Sequence, residues 1–291
     1  MIKVNEINYS SFGRCLSMTN GKIELVITLD FGPRIIRASF VGGENFLYED
    51  KDRTCSTDTG DGVFYNYGGH RMWVSPEEFP DTYYPDNDKV EYAVNGNTVT
   101  FTPPPQKTGF ALGLEISLNE KENKVDICHY LTNNCDSPRM VAPWAITMMA
   151  NGGYEVIPTN SNDTGYLPNR YVVLWPYTKM NDPRINWGDK YMVLNQAQPV
   201  KGAFKIGLSQ LDPWAVYVRG NEIFMKRYTY YPDEQYPDGN CSYETYSCEK
   251  FVEMETVGVY KTMAVGETVT HKEVWCLFDS IDDIDGLDIG V

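Results

Sequence analysis

Asn95-Gly96-Asn97 separates two short alternating runs, residues 90–94 and 98–101, and the same grammar governs most of the chain. A Gly-Asn turn between alternating segments signals a β-hairpin, because its central residues need positive φ and Gly and Asn adopt that at low cost. Residues 22–29 and 34–40 flank Asp30-Phe31-Gly32-Pro33, and residues 112–118 and 124–132 flank the polar turn 119–123. Residues 215–218 and 222–226 flank Gly220-Asn221. A last hairpin is expected between residues 259–264 and 268–278 across Gly266-Glu267. No window keeps a helical apolar period over three turns. Regular strands without intervening helices argue against a βαβ architecture and predict an all-β fold, a large twisted antiparallel β-sandwich.

The 291 residues suit one such sandwich, so a single domain over 1–291 is expected. The 21 Tyr and 6 Trp favour strands and supply flat apolar faces with a polar tip, which suits sugar rings. A formal net charge of −15 repels phosphate backbones and argues against nucleic-acid binding. The seven Cys are odd in number and fit no zinc spacing. They read as reduced thiols of a cytoplasmic protein. Residues 1–10 lack the basic and apolar regions of a signal peptide, and no apolar run approaches the ~20 residues of a membrane span. The sequons at Asn8, Asn162 and Asn240 then read as chance matches. No phosphate loop, nucleophile elbow or dinucleotide fingerprint is present, so no cofactor is expected.

Two stretches, 50–88 and 151–190, break the strand rhythm and are dense in Trp, Tyr and Arg, which linkers lack. The first holds Gly68-Gly69-His70-Arg71-Met72-Trp73, then Pro76-Glu77 and Tyr83-Tyr84-Pro85-Asp86. Its glycines allow a tight turn that brings an imidazole and a guanidinium to a ligand, and its aromatics can stack on a pyranose. Residues 251–256 alternate so that Glu253 and Glu255 share one strand face, roughly 6.5–7 Å apart. Two carboxylates that close raise each other's pKa toward that of a useful base. Lys226, closing a strand beside Tyr228 and Tyr231, with Glu244 further on, is a third candidate. Of three histidines, His129 shares a face with Val125, Ile127 and Leu131 and reads as a core residue. His271, among charged neighbours, is expected to be exposed, which leaves His70 as the imidazole for proton transfer. Scattered histidines without a thiol cluster argue against a catalytic metal.

Gly32-Pro33-Arg34-Ile35-Ile36 with Asn45-Phe46-Leu47-Tyr48, the run Glu253-Met254-Glu255-Thr256, and the closing Gly266-Glu267 turn with its strand to Trp275 resemble galactose mutarotase-like proteins, in that order along the chain. The Gly-Gly-His-Arg-x-Trp and Tyr-Tyr-Pro-Asp-Asn strings resemble a bacterial branch of that superfamily. The resemblance implies an aldose 1-epimerase chemistry. A Glu base takes the anomeric proton, a His acid protonates the ring oxygen, and the opened sugar recloses as the other anomer. Glu255 matches the base. Trp144 stands where the acid His is expected, and His70 is the substitute available. Arg34, Arg71, Trp73, Glu77, Tyr84, Trp144, Lys226, Glu244 and Glu253 are the expected substrate-binding residues, and the partner is a small sugar or sugar acid. A non-catalytic carbohydrate-binding protein and a carbohydrate lyase or hydrolase stay open as alternatives.

Overall fold

The computed structural model describes residues 2–160, 163, 165, 169–197 and 200–280, and the Asn162 sequon lies outside them. Two large antiparallel sheets pack face to face. The first runs, in spatial order, Lys3–Asn8, Arg14–Thr19, Ile23–Thr28, Ile35–Phe40, His70–Ser75, Arg139–Ala150, Phe251–Val257, Tyr243–Ser247, Phe204–Leu208 and Val173–Leu174. The second runs Ile185–Trp187, Tyr191–Asn195, Tyr154–Pro158, Trp214–Arg219, Glu222–Tyr228, Thr268–Phe278, Lys124–Asn133, Phe110–Leu118, Thr98–Thr102 and Glu91–Asn95. A two-stranded ribbon, Ser56–Asp58 with Val63–Tyr65, stands apart.

The alternation read from sequence is what joins the layers. Along Lys124–Asn133, Val125, Ile127, His129, Leu131 and Asn133 are buried while the residues between them are not. Phe46, Phe101, Phe224 and Trp275 fill the space between the sheets, with Trp275 edge-on to Phe224 at 4.9 Å. Each such side chain is worth about 1.5–3 kcal/mol of burial.

The closing hairpin does not form as the turn chemistry suggests. Lys261–Met263 pairs with Arg139–Ala150 in the first sheet, whereas Thr268–Phe278 lies between Lys124–Asn133 and Glu222–Tyr228 in the second. The Gly266 turn carries the chain across the sandwich. Asn133 holds the crossing, donating from Nδ2 to the Met263 carbonyl at 3.0 Å and the Ala264 carbonyl at 3.3 Å. Turn residues dictate that a chain reverses, not which strand it then pairs with.

Register fixes the central strands of the first sheet. Arg71, Ile146, Glu255, Glu244 and Gly207 are successive cross-strand partners and share one face. His70, Thr147, Met254, Thr245 and Ile206 form the neighbouring row and share the other. Met254 and Ile206 belong to the core, so the His70 row points inward and the Arg71 row outward. Gly69, at φ 70°, begins this arrangement: a Cβ there would sit 2.3 Å from the Ile35 carbonyl oxygen. Only glycine lets the two backbones approach. Ile35–Phe40 and His70–Ser75 share a single register pair, Ile35 with His70, and then diverge.

Candidate functional site

The outward face of these central strands floors an open groove of about 500 Å³. That size is typical of small-molecule sites. Arg71, Trp73, Trp144, Tyr246, Lys205 and Glu253 rise from the sheet. The ribbon around Phe64 and the segment bearing Glu77 and Tyr83 flank one side, and Trp175 and Tyr177 add to the lining. Tyr83 donates its hydroxyl hydrogen to Glu77.

Beneath this surface lies a buried ionic cluster. Lys205 Nζ is 2.8 Å from Glu244 Oε2 and 2.8 Å from Glu255 Oε2. It also lies over the Trp144 ring at 4.6 Å and the Trp175 ring at 4.8 Å. Burial disfavours the ammonium, but the two carboxylates outweigh it and its pKa stands above the ordinary lysine value. Glu255 is fully buried, and its Oε2 also accepts from Trp144 Nε1 at 2.7 Å. Glu253 is different: its carboxylate reaches the groove lining, 3.5 Å from Arg71 Nη2. Burial pushes its pKa up to about 7, with Arg71 pulling it down and Glu255 pushing it up. The Arg71 guanidinium stacks 4.2 Å from the Trp73 ring centre.

Among the sequence candidates, Arg71, Trp73, Glu77, Trp144 and Glu253 line the groove. Glu244 and Glu255 lie under it. Of the two glutamates on the 251–257 strand, the one at the groove surface is Glu253, not Glu255. Arg34 and Tyr84 instead line a tighter cavity of about 50 Å³ where the sheet divides, which His70, Arg71 and Trp73 also line, and Arg34 is tied to Asp86 there through Nη1 at 2.5 Å and Nη2 at 3.0 Å.

Three expectations fail for one reason, the direction in which a strand residue points. His70 does not face Glu255, because it occupies the inward row. Its Nδ1 meets Thr147 Oγ1 at 2.8 Å and its Nε2 meets His129 Nε2 at 2.7 Å. His129 Nδ1 lies 3.0 Å from the His271 carbonyl, which can only accept, so that nitrogen carries the hydrogen and His70 donates to His129. His271 is 3% exposed rather than on the surface, with Nε2 2.7 Å from Thr256 Oγ1. Lys226 is no groove residue: it is wholly buried, 3.0 Å from Glu273 Oε1 and 2.9 Å from the Met254 carbonyl. His70, His129 and Glu273 do bring three metal-ligand atoms within 4.8 Å of one another. Yet a hydrogen bond already joins the two imidazoles, and Lys226 already neutralises Glu273. A dication would leave its charge unmatched in the core.

Sequence reasoning missed Lys205 and Tyr246. Lys205 is the only charge in the apolar strand Phe204–Leu208, and Tyr246 stands two residues from Glu244 on the same face. Those were the signals available.

These buried groups set a pH dependence. Burial raises Glu155 and Glu253 to about 7 and Glu244 to about 8. It lowers His70 and His129, and brings His271 down to about 3. Above pH 6.5 the unfolded chain has shed all six protons while the folded one keeps those on the glutamates, so stability falls as pH rises from about 6.5 to 8. Below about 4.5 the unfolded chain binds more protons than the folded one, and stability falls with acidification. Between these limits the imidazole and carboxyl contributions oppose each other and the curve is flat. Calorimetry at pH 5.5, 7 and 8 is expected to give a falling Tm; a rise across that range would contradict the assignment.

No family model matches the chain, and no curated protein does. Solved structures resemble it in fold. A galactose mutarotase-like protein from Lactobacillus casei superposes with a TM-score of 0.59 at 11% identity, covering 91% of this chain and 100% of that one. A galactose mutarotase related enzyme from Lactobacillus acidophilus gives 0.58 at 10% identity, covering 91% and 97%. A TPR-domain containing protein from Parabacteroides distasonis gives 0.64 at 14% identity; the match covers 94% of this chain and 48% of that one, so this chain spans about half of it. At these identities the likeness is one of fold.

Proposed function

On this galactose mutarotase-like sandwich, we propose that the groove holds the ring of a small sugar and that the protein interconverts its anomers. The observation that carries the reading is the Glu253 carboxylate, at the groove surface among aromatic faces, with a pKa raised to about 7. A base poised near neutrality is what abstraction of an anomeric hydroxyl proton requires. Arg71 beside it steadies the carboxylate once ionised. Glu255, beneath the floor, and Lys205, in the lining, hold the Trp144 indole in place for the sugar's apolar face. The proton for the ring oxygen comes from water in the open groove, because Tyr83, bonded to Glu77 and partly buried, is held above the ordinary tyrosine range and is too weak an acid. After ring opening, C1 rotates and the same groups return their protons. The seven unpaired cysteines suit the reducing cytoplasm as its place of work.

The inward position of all three histidines favours a second reading, a sugar-binding protein without turnover. Exchange NMR between anomers separates the two across a panel of aldoses. The epimerase reading expects exchange above the spontaneous rate, with kcat/KM rising as pH climbs through about 7 and the Glu253 carboxylate ionises. Tight binding without acceleration would leave the binding protein standing.

A further inference from the structure

Among the described residues, the groove lining carries two cations, Arg71 and Lys205, and each already faces protein carboxylates. Lys205 lies between Glu244 and Glu255, at 2.8 Å from each, with its side chain 6% exposed. Arg71 is 2% exposed: its Nη2 has Glu253 at 3.5 Å, its Nη1 meets only Met148 Sδ at 3.2 Å and its Nε is buried without a partner, so burial and Glu253 together keep its fork from a ligand. Glu77, exposed at the mouth, adds a carboxylate that no lining cation answers. We infer that the site, on the sugar-binding reading above, selects uncharged or amino sugars and rejects sugar phosphates and uronic acids, with Glu253 as the residue that masks Arg71.

A guanidinium recognises a carboxylate or phosphate through two parallel N–H donors, and it cannot offer them while a protein carboxylate stands before it. Above about pH 7, where Glu253 is ionised, a ligand anion entering the groove meets Glu77 and Glu253 as like charges in a partly desolvated cleft. Such juxtaposition is costly. Hydroxyl groups meet no such penalty, because a carboxylate accepts from them and an aromatic wall takes the C–H face. An ammonium on the sugar gains from the same carboxylates. At the rim, beside Cys55, Lys250 is a cation that a phosphate could reach: it is exposed, with Nζ 2.8 Å from Thr54 Oγ1 and 3.5 Å from Cys55 Sγ. Its charge is met by solvent and gives little affinity.

The test is a matched titration, followed by calorimetry and tryptophan fluorescence on the full chain. The gluco, galacto and manno skeletons are each used as the hexose, its 6-phosphate, its uronate and its 2-amino derivative. The hexose and amino sugar of one skeleton are expected to bind, and the two anions at least about tenfold more weakly. In Glu253→Gln, Arg71 is unmasked, and the ratio of uronate to hexose affinity is expected to rise at least about fivefold. Glu77→Gln, at an exposed position, is expected to raise the same ratio by a smaller factor and guards against a core variant that folds poorly. Anions binding the wild type as tightly as the hexose would overturn the inference, as would an unchanged ratio in a folded Glu253→Gln. If no sugar in the series binds the wild type, the sugar-groove reading itself falls. Hexose binding without anion discrimination overturns only this step.

Discussion

Glu253→Gln is expected to slow anomer exchange by roughly 10²–10⁴-fold while sugar affinity stays within a few-fold, the signature of an interaction made in the transition state. The substitution keeps the shape of the side chain and its hydrogen-bonding reach but removes the basic oxygen at the groove surface. The rise of kcat/KM through about pH 7 should vanish with it. Glu255→Gln is the informative comparison. Its side chain is fully buried and bonded to Lys205 and Trp144, so it cannot touch a sugar directly. Removing its charge relieves the repulsion that helps hold Glu253 up, and the activity profile should move toward lower pH with substantial rate remaining. A folded Glu255→Gln that is inert beside an active Glu253→Gln would reverse the two roles.

Lys205→Met is expected to cause the largest loss of stability. Glu244 and Glu255 are direct cross-strand partners, and both are essentially excluded from water. Lys205 is the cation that makes their proximity tolerable. Without it, two buried carboxylates face each other uncompensated, a situation that typically costs about 3–5 kcal/mol. For a large domain this corresponds to roughly 10 °C in Tm. The loss should be greatest at pH 8 and smaller at pH 5.5, where the carboxyls can be neutralised by protons. Adding Glu244→Gln and Glu255→Gln to the variant should recover much of it. Scanning calorimetry at the two pH values is the check, and an unchanged Tm at pH 8 would mean that the cluster contributes nothing.

How far the sequence discloses this site depends on the strand period. Glu253 and Glu255 alternate with apolar residues in an unmistakable strand, so their shared face was legible. Which of them meets the groove was not, because one step of two residues along a strand decides between floor and surface. His70 and Arg71 are adjacent, and in any strand adjacent residues face opposite ways. The Gly68-Gly69 pair and its Pro- and Tyr-rich surroundings read as loop, which hid the strand His70–Ser75 and with it that constraint. Lys205 and Lys226 look alike in sequence, each the one lysine of a strand built mainly on apolar residues. Only register across the two sheets sends one to the groove and the other to the core. His271 follows the same logic: its neighbour Lys272 is exposed, and alternation places the imidazole inside. The hairpins at 95–97 and 119–123 were legible because their pairing is local. The closing strands were not, since theirs is long-range.

A crystal structure with a bound aldose tests the central claim most directly. Density is expected for one pyranose ring in the groove, its apolar face against Trp73 or Trp144, and its anomeric oxygen within about 2.6–3.2 Å of a Glu253 carboxylate oxygen. A sugar bound instead at the division of the sheet beside Arg34 and His70, or one whose anomeric carbon points away from Glu253, would contradict it.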